Sequence, residues 1–157
     1  TVGPQTIGNL LVHDTYGPHQ RMVFGRKALH DLERVPGDAA AAERYIRRIH
    51  SGFPNLSVSG ILGGYCLVSH IFPGAHSGVT LTRQTVLTAR PPQSDEDIAA
   101  AESFSAIALK AVRDEDYSIA FAIQKNLHSG ANTHFLLGRN EPAVQHYHRM
   151  VAKFAAD

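Results

Sequence analysis

Two sets of side chains alternate along GVTLTRQTVLTA, residues 78–89. One set is Val79, Leu81, Arg83, Thr85 and Leu87, and the other is Thr80, Thr82, Gln84, Val86 and Thr88. A period of two residues is that of a β-strand, whose side chains point to opposite faces of a sheet. The stretch therefore predicts a long strand of an antiparallel sheet, which Pro91-Pro92 should end.

The residues before this stretch predict more strands and one helix. Residues 65–72, YCLVSHIF, are almost continuously apolar, as in a strand that is covered on both faces. Further strands are predicted over 7–16, 19–25 and 53–62, with a short helical turn over 27–34. The Ala-rich segment that follows Asp38 predicts a helix over 39–50, whose arginines Arg44, Arg47 and Arg48 form a solvated face.

The residues after the stretch predict helices. Ser94 and Asp97 have the spacing of a capping box, at the start of a helix over about 95–113. A second helix is predicted over 115–127 after little or no break. A final helix is predicted over 141–155, with Asn140 as its cap and Pro142 in its first turn. On that helix one side is expected to be apolar; its members are Val144, Tyr147, His148, Val151 and Phe154. Strands followed by helices predict an α+β domain, a twisted antiparallel sheet with helices on one face.

Composition bounds the classes of protein that fit. A chain of 157 residues, 43% hydrophobic and 18% charged, is typical of one globular domain rather than a disordered segment. Its net charge of +1 and the absence of a Lys/Arg block argue against a nucleic-acid partner. No apolar run reaches the length of a membrane span. The single cysteine, Cys66, excludes an intrachain disulfide and a cysteine-based zinc or iron–sulfur site within this chain.

The strongest candidate for chemistry is the acidic cluster in RDEDYSIAFAIQKNLHSG, residues 113–130. Asp116 begins one side of the predicted helix, which continues through Ala120, Ile123, Gln124 and Leu127. A carboxylate above an apolar side suits a metal-ligand arm. The alternative is a helix cap or a partner of the helix dipole, which are common roles for aspartate in a first turn.

Histidines supply the other candidates. His70, in the apolar strand, is expected either to face a substrate pocket or to pack on the sheet. His13 and His19 flank the Gly17-Pro18 turn and are the local residues that could join a metal site. The alternative for His19 is that it belongs to the Gly-Pro-His turn and makes a structural hydrogen bond.

Several phrases carry a resemblance to a known family. Glu115-Asp116-Tyr117 is followed by QKNL at 124–127, LGRNE at 137–141 and HYH at 146–148. These phrases resemble the C-terminal end of the alpha subunits of Rieske-type aromatic-ring-hydroxylating oxygenases. Earlier phrases occur in the matching order: DTYGPHQRM at 14–22, FPN at 53–55 and IFPG at 71–74. Asn126 stands where the family usually has glycine.

This resemblance implies a fold and a metal site. The fold would be a helix-grip (START/Bet v 1-like) domain, a curved antiparallel sheet around a long C-terminal helix, of which residues 1–157 form the C-terminal part. Asp116 matches the carboxylate ligand of a mononuclear Fe(II) held by two histidines and one carboxylate. The family's D-x-x-H-x-x-x-x-H phrase is absent, so the two histidine ligands are expected upstream of Thr1. The [2Fe–2S] Rieske domain, with its C-x-H and C-x-x-H pairs, is likewise absent. His70, Ala120, Ile123 and Gln124 are the candidates for the substrate pocket, and no other catalytic or cofactor-binding residue is implied.

The implied function is insertion of dioxygen-derived oxygen into an aromatic or related apolar substrate. Electrons would come from a ferredoxin or reductase, in a cytoplasmic, trimer-based homo- or hetero-oligomer that serves aromatic catabolism, without nucleic-acid or membrane partners. A hypothesis from another class is a non-catalytic module of the same fold. Such a module would carry a hydrophobic small molecule, and Asp116 would then be only a cap.

Overall fold

The architecture is a six-stranded antiparallel sheet whose strand order follows the chain order. It is given by a computed structural model, which describes residues 6–33, 37, 41, 44–60 and 64–156. The strands are β1 (Thr6–Tyr16), β2 (His19–Arg26), β3 (Ile46–Gly52), β4 (Leu56–Gly60), β5 (Tyr65–Pro73) and β6 (Thr80–Thr88). A 3-10 helix, Lys27–Asp31, follows β2. The helices are α1 (Asp95–Ala111), α2 (Ser118–Leu127) and α3 (Pro142–Ala155). The predicted α+β class is confirmed, and the sheet and long C-terminal helix match a helix-grip domain.

The hairpin of β5 and β6 confirms the strand predicted from the alternating stretch. Its register runs from Tyr65 opposite Thr88 to Pro73 opposite Thr80. Gly74 closes the turn, where its N–H donates to the carbonyl oxygen of Val79 at 2.8 Å. A Cβ atom at position 74 would lie 2.6 Å from Val79 Cγ1, so this turn requires a glycine.

The helix predicted over 39–50 is wrong in its second half, because β3 is a strand that pairs with β2 on one side and β4 on the other. Ile46 and Ile49 are β-branched and fit a pleated surface, and ladders on both edges outweigh a local helical pattern. Arg47 is exposed as predicted, whereas Arg48 is half-buried. Positions 39–40 and 42–43 of that predicted helix lie outside the described residues.

Helices α1 and α3 contact the same face of the sheet, here called the inner face, and the turn that leads into α2 is bonded to it through Tyr117. Phe104 of α1 stacks on Tyr65 of β5 with ring centroids 4.9 Å apart. His146 of α3 lies edge-on to His13 of β1 at 6.0 Å. Strand register places Tyr65 and His13 on one face, because directly paired residues on neighbouring strands point the same way. The prediction that the helices pack on one face is therefore confirmed.

The helix starts follow local side-chain chemistry. Ser94 Oγ accepts a hydrogen bond from the N–H of Asp97 at 3.2 Å, and Asp97 Oδ2 accepts from the N–H of Gln93 at 2.8 Å. The predicted Ser94 cap is thus confirmed, while the return bond of Asp97 reaches Gln93 and not Ser94 itself. At α3 the predicted Asn140 cap is wrong, because the N-cap residue is Glu141. Glu141 Oε2 accepts a hydrogen bond from the N–H of Gly138 at 2.6 Å. Asn140 therefore lies one residue before the N-cap.

The buried side of α3 also differs from the prediction. Ala143 and His146 are its buried residues, whereas His148 is exposed. The predicted apolar side instead contacts the turn between β3 and β4, where Phe53 lies 5.3 Å from the Phe154 ring and 5.7 Å from the Tyr147 ring. Those contacts hold α3 across the sheet but leave part of the apolar side in solvent.

Within the described residues the core is small. Ala143 is the buried apolar residue, and the large side chains of Ile119, Phe121 and Ile123 on α2 are 63%, 69% and 47% exposed. A helix that is apolar around most of its circumference is typical of a protein interior. Exposed apolar surface on this scale is typical of a domain that packs against further protein. None of the helices in the described part of the chain is long and apolar enough to cross a membrane.

Candidate functional site

Asp116 lies in a π-helical turn, Val112–Tyr117, that joins α1 to α2. The helical path is continuous from α1 to α2, so the short break predicted near residue 114 is a change of helical winding. A π-helical turn adds a residue to a helix and is frequent at functional sites. No proline or glycine marks this turn in the sequence, so local sequence reasoning had no signal with which to find it.

Tyr117 fastens the π turn to the sheet. Its hydroxyl donates a hydrogen bond to Oγ1 of Thr82, on the inner face of β6. Its ring also lies 6.1 Å from the ring of Phe121, one turn further along α2. Tyr117 is half-buried, whereas the adjacent Asp116 is exposed. The anchor therefore fixes the backbone that carries Asp116 and leaves its carboxylate accessible.

The three acidic residues of the turn have different surroundings. Arg113 Nε donates to Asp114 Oδ1 at 2.7 Å, and this hydrogen bond lowers the pKa of the Asp114 carboxyl below its ordinary value. The carboxylates of Glu115 and Asp116 have no hydrogen bond or ion pair to any other described side chain. Asp114 is thus engaged by a guanidinium, while Asp116 offers free oxygen atoms next to the Tyr117 anchor.

The predicted pocket residues separate into two groups. Ala120, Ile123 and Gln124 continue along the helix from Asp116; Gln124 is half-buried and the other two are exposed. His70 is on the other face of the sheet, since it pairs with Leu56 and Arg83 rather than with residues of the inner face. There its ring stacks on Phe72 at 5.9 Å. The structure therefore does not bring His70 to the side of the sheet on which Asp116 lies.

The two histidines beside the first turn are also separated by the sheet. His13 is on the inner face, where its Nε2 shares a hydrogen bond with Gln20 Oε1 at 2.8 Å. His19 pairs with Tyr16 on the opposite face, and its Nδ1 accepts the N–H of Phe53 at 3.1 Å. The structural hydrogen bond expected for His19 is thus present. The burial of His146 was not predicted, and its Nε2 has no hydrogen-bond partner in the described part of the chain.

The donor set for a mononuclear iron is incomplete here. No group of three or more His, Cys, Asp or Glu side chains that could hold a metal occurs among the described residues. The accessible carboxylate of Asp116 suits one ligand position of a two-histidine, one-carboxylate site. The described residues do not supply the two histidines near it, so they do not by themselves fit the iron.

A cavity of about 400 Å³ lies elsewhere, where β5 begins and β6 ends. Its lining includes Tyr65, Thr88, Arg90, Gln93 and Asp97. Thr88 is six residues along β6 from Thr82, a distance of about 20 Å at the usual rise of a strand. The cavity is therefore separate from the turn that carries Asp116.

Comparison with known proteins identifies the family. The family model described as "Ring hydroxylating alpha subunit (catalytic domain)" matches residues 1–157. No curated protein and no solved structure matches the chain. The family implies a non-haem iron in the catalytic domain, and the match spans the whole sequence, including the Asp116 turn. The chain belongs to the ring-hydroxylating alpha subunit family, as part of its catalytic domain.

Proposed function

We propose that this chain is part of the catalytic domain of a Rieske non-haem iron oxygenase that inserts dioxygen-derived oxygen into an aromatic or related apolar substrate. The observation that carries the proposal is the accessible carboxylate of Asp116, on a π turn that Tyr117 ties to the sheet. Family membership supplies the class of reaction. The position of Asp116 in the matched phrase supplies its role.

In this proposal Asp116 is the carboxylate ligand of a mononuclear Fe(II). The two histidine ligands and the [2Fe–2S] Rieske cluster come from sequence outside this chain. An iron held by two histidines and one carboxylate keeps coordination positions open for oxygen chemistry. The iron, when bound there, would receive electrons from a ferredoxin or reductase, in an intact protein that would be a cytoplasmic, trimer-based oligomer.

The residues of this chain position and border the site. The Tyr117–Thr82 hydrogen bond holds the π turn at a fixed distance from the sheet. Ala120, Ile123 and Gln124 border the substrate along α2, where Gln124 offers the polar atoms. His70 does not border this pocket, because the register of β5 puts it on the opposite face of the sheet.

The test of this function uses the intact subunit with its reductase, an aromatic substrate and ¹⁸O₂. Asp116→Ala should abolish incorporation of labelled oxygen and leave the visible absorbance of the Rieske cluster unchanged. Glu115→Gln is the matched control, since it removes the neighbouring free carboxylate of the same turn. Normal turnover in the Asp116→Ala protein would contradict the assignment. Binding of a hydrophobic molecule with no turnover in the native protein would instead favour a carrier.

The isolated 157-residue chain gives a second test. We expect it to bind Fe(II) weakly or not at all, because one carboxylate cannot fix the metal. Stoichiometric iron in the purified and exhaustively dialysed chain would contradict this expectation.

A further inference from the structure

A row of uncharged polar side chains crosses the inner face of the whole sheet. Strand register aligns one from each strand, in the order Thr15, Gln20, Ser51, Ser57, Ser69 and Gln84. Neighbouring strands are about 4.8 Å apart, so this polar row is about 24 Å long. It contains hydroxyl and amide groups and no charged group.

The polar row lies on the same face as the candidate site. Thr82, which receives the hydroxyl of Tyr117, is two residues from Gln84 on β6, and side chains two residues apart in a strand share a face. The separation along the strand is about 7 Å. The π turn that carries Asp116 is therefore bonded to the sheet at Thr82, two residues along β6 from the polar row.

Gln20, Ser69 and Gln84 of the row are engaged in side-chain hydrogen bonds, whereas the two serines in its middle are not. Gln20 Oε1 is bonded to His13 Nε2 at 2.8 Å, and Gln84 Nε2 donates to Ser69 Oγ at 3.4 Å. The hydroxyls of Ser51 and Ser57 have no hydrogen-bond partner among the described residues, and both side chains are half-buried.

The helices make no ring contact or side-chain hydrogen bond to these two serines in the described part of the chain. The ring contacts and side-chain hydrogen bonds of the helices to the sheet fall at β1, at β5 and β6, and at the turn between β3 and β4. Neither Ser51 nor Ser57 takes part in such a contact. Two half-buried hydroxyls without a partner among the described residues thus lie in the middle of the polar row, on the inner face of the sheet, here called the floor.

The neighbouring row on the same face is mainly apolar. Its members, in register, are His13, Met22, Ile49, Ser59, Leu67 and Val86. The floor therefore presents an apolar strip beside a strip of hydroxyls, about 7 Å away along the strands. An aromatic ring suits the first strip. A bare hydrocarbon that displaced water from the second would leave Ser51 and Ser57 without hydrogen bonds, which is unfavourable.

The charge of this floor favours a neutral ligand group. Arg83 is on the opposite face, opposite His70. Arg47 shares the inner face but is exposed and four residues along β3 from Ser51, about 13 Å away. No cation therefore lies in the polar row to balance a carboxylate. A serine hydroxyl can donate and accept, so it can pair with a hydroxyl, carbonyl or amide group.

We propose that the substrate is an aromatic compound with a neutral hydrogen-bonding substituent, which Ser51 and Ser57 bind. The inference rests on the proposed function for its aromatic ring, and on the polar row for its substituent. Ser57 is two strands from β6, about 10 Å, a span that a bicyclic aromatic molecule can bridge toward the π turn.

The experiment measures equilibrium binding to the intact subunit in an Asp116→Ala background, so that turnover does not consume the ligand. The probes are naphthalene, 2-naphthol and 2-naphthoate, which share one ring system. One or two hydrogen bonds predict that 2-naphthol binds about tenfold more tightly than naphthalene. In a Ser51→Ala/Ser57→Ala protein this ratio should fall to about one. Equal binding of the two probes by the parent, or the same ratio in both proteins, would overturn the proposal.

Matched variants separate recognition from folding. Thr85→Val, on the opposite face of β6 where Thr85 pairs with Val68, should keep the tenfold ratio. Ser57→Thr retains a hydroxyl at this position, so this variant should also show the tenfold ratio, and its thermal midpoint should be unchanged. If 2-naphthoate bound most tightly of the three probes, the proposal that the substituent is neutral would be overturned. Oxygen incorporation by Asp116→Ala would sink the proposed function and leave the binding ratio intact, so the two failures are distinguishable.

Discussion

The hydrogen bond from Tyr117 to Thr82 is the contact on which the position of Asp116 depends. Tyr117→Phe removes the hydroxyl and keeps the ring with its Phe121 neighbour. A net hydrogen bond contributes about 1 kcal/mol, and Thr82 is only half-buried, so water can replace part of the lost interaction. We therefore expect the free energy of unfolding to fall by about 1 kcal/mol, which lowers the thermal midpoint by about 2–4 °C.

A double-mutant cycle in the intact subunit isolates the contribution of this hydrogen bond to the free energy of unfolding. Tyr117→Phe, Thr82→Val and the double variant are unfolded in urea and followed by circular dichroism. The coupling energy should be about 1 kcal/mol, as for directly bonded neighbours. Tyr16→Phe is the control, since Tyr16 is 55% exposed and its change should stay within about 0.5 kcal/mol.

The same variants test whether the hydrogen bond between Tyr117 and Thr82 positions Asp116, the proposed iron ligand. Tyr117→Phe should also lower the affinity for Fe(II), because the π turn is then free to shift relative to the sheet. A coupling energy below about 0.3 kcal/mol would refute the anchor. An Fe(II) affinity equal to that of the parent would refute its role in positioning Asp116.

Three further predictions concern the elements around the site. Ser94→Ala removes the acceptor that caps α1 and should cost about 1 kcal/mol in urea unfolding; an unchanged midpoint would contradict the cap. Gly74→Ala puts a Cβ 2.6 Å from Val79 Cγ1 and should cost about 1–3 kcal/mol, whereas a neutral result would contradict the close turn. Arg113→Gln should raise the depressed pKa of Asp114 toward its ordinary value, as followed by ¹³C NMR of the carboxyl carbon. Because the pKa of Asp114 is lower in the folded than in the unfolded state, the Arg113–Asp114 pair stabilises the fold at pH values above the unfolded pKa. This stabilisation is lost as the pH falls through the folded pKa. A pKa of Asp114 that does not change in Arg113→Gln would contradict the pairing.

Much of the fold could be predicted from local sequence pattern. Alternation over 78–89 gave β6, and the spacing of Ser94 and Asp97 gave the start of α1. Strand β3 could not be found this way, because Ala-rich residues precede it and its strand state depends on pairing with β2 and β4. Pairing partners that are distant in sequence decided that segment, and a local pattern does not contain them.

The site was less accessible to sequence reasoning. The acidic cluster and the resemblance marked Asp116, but the π turn is defined by backbone geometry that no residue type signals here. The contact between Tyr117 and Thr82 joins positions 35 apart in the chain. The face on which His70 lies, and the polar row itself, depend on strand register, which is set by several pairings at once.

The iron content of two isosteric variants of the intact subunit decides whether Asp116 is the iron ligand. Asp116→Asn and Glu115→Gln each remove one free carboxylate from the same turn and keep its shape. After anaerobic reconstitution with Fe(II), the Asp116→Asn protein should retain only the iron of its [2Fe–2S] cluster, while Glu115→Gln retains the additional mononuclear iron. Full mononuclear iron in Asp116→Asn, or its loss in Glu115→Gln alone, would contradict the assignment of Asp116 as the ligand.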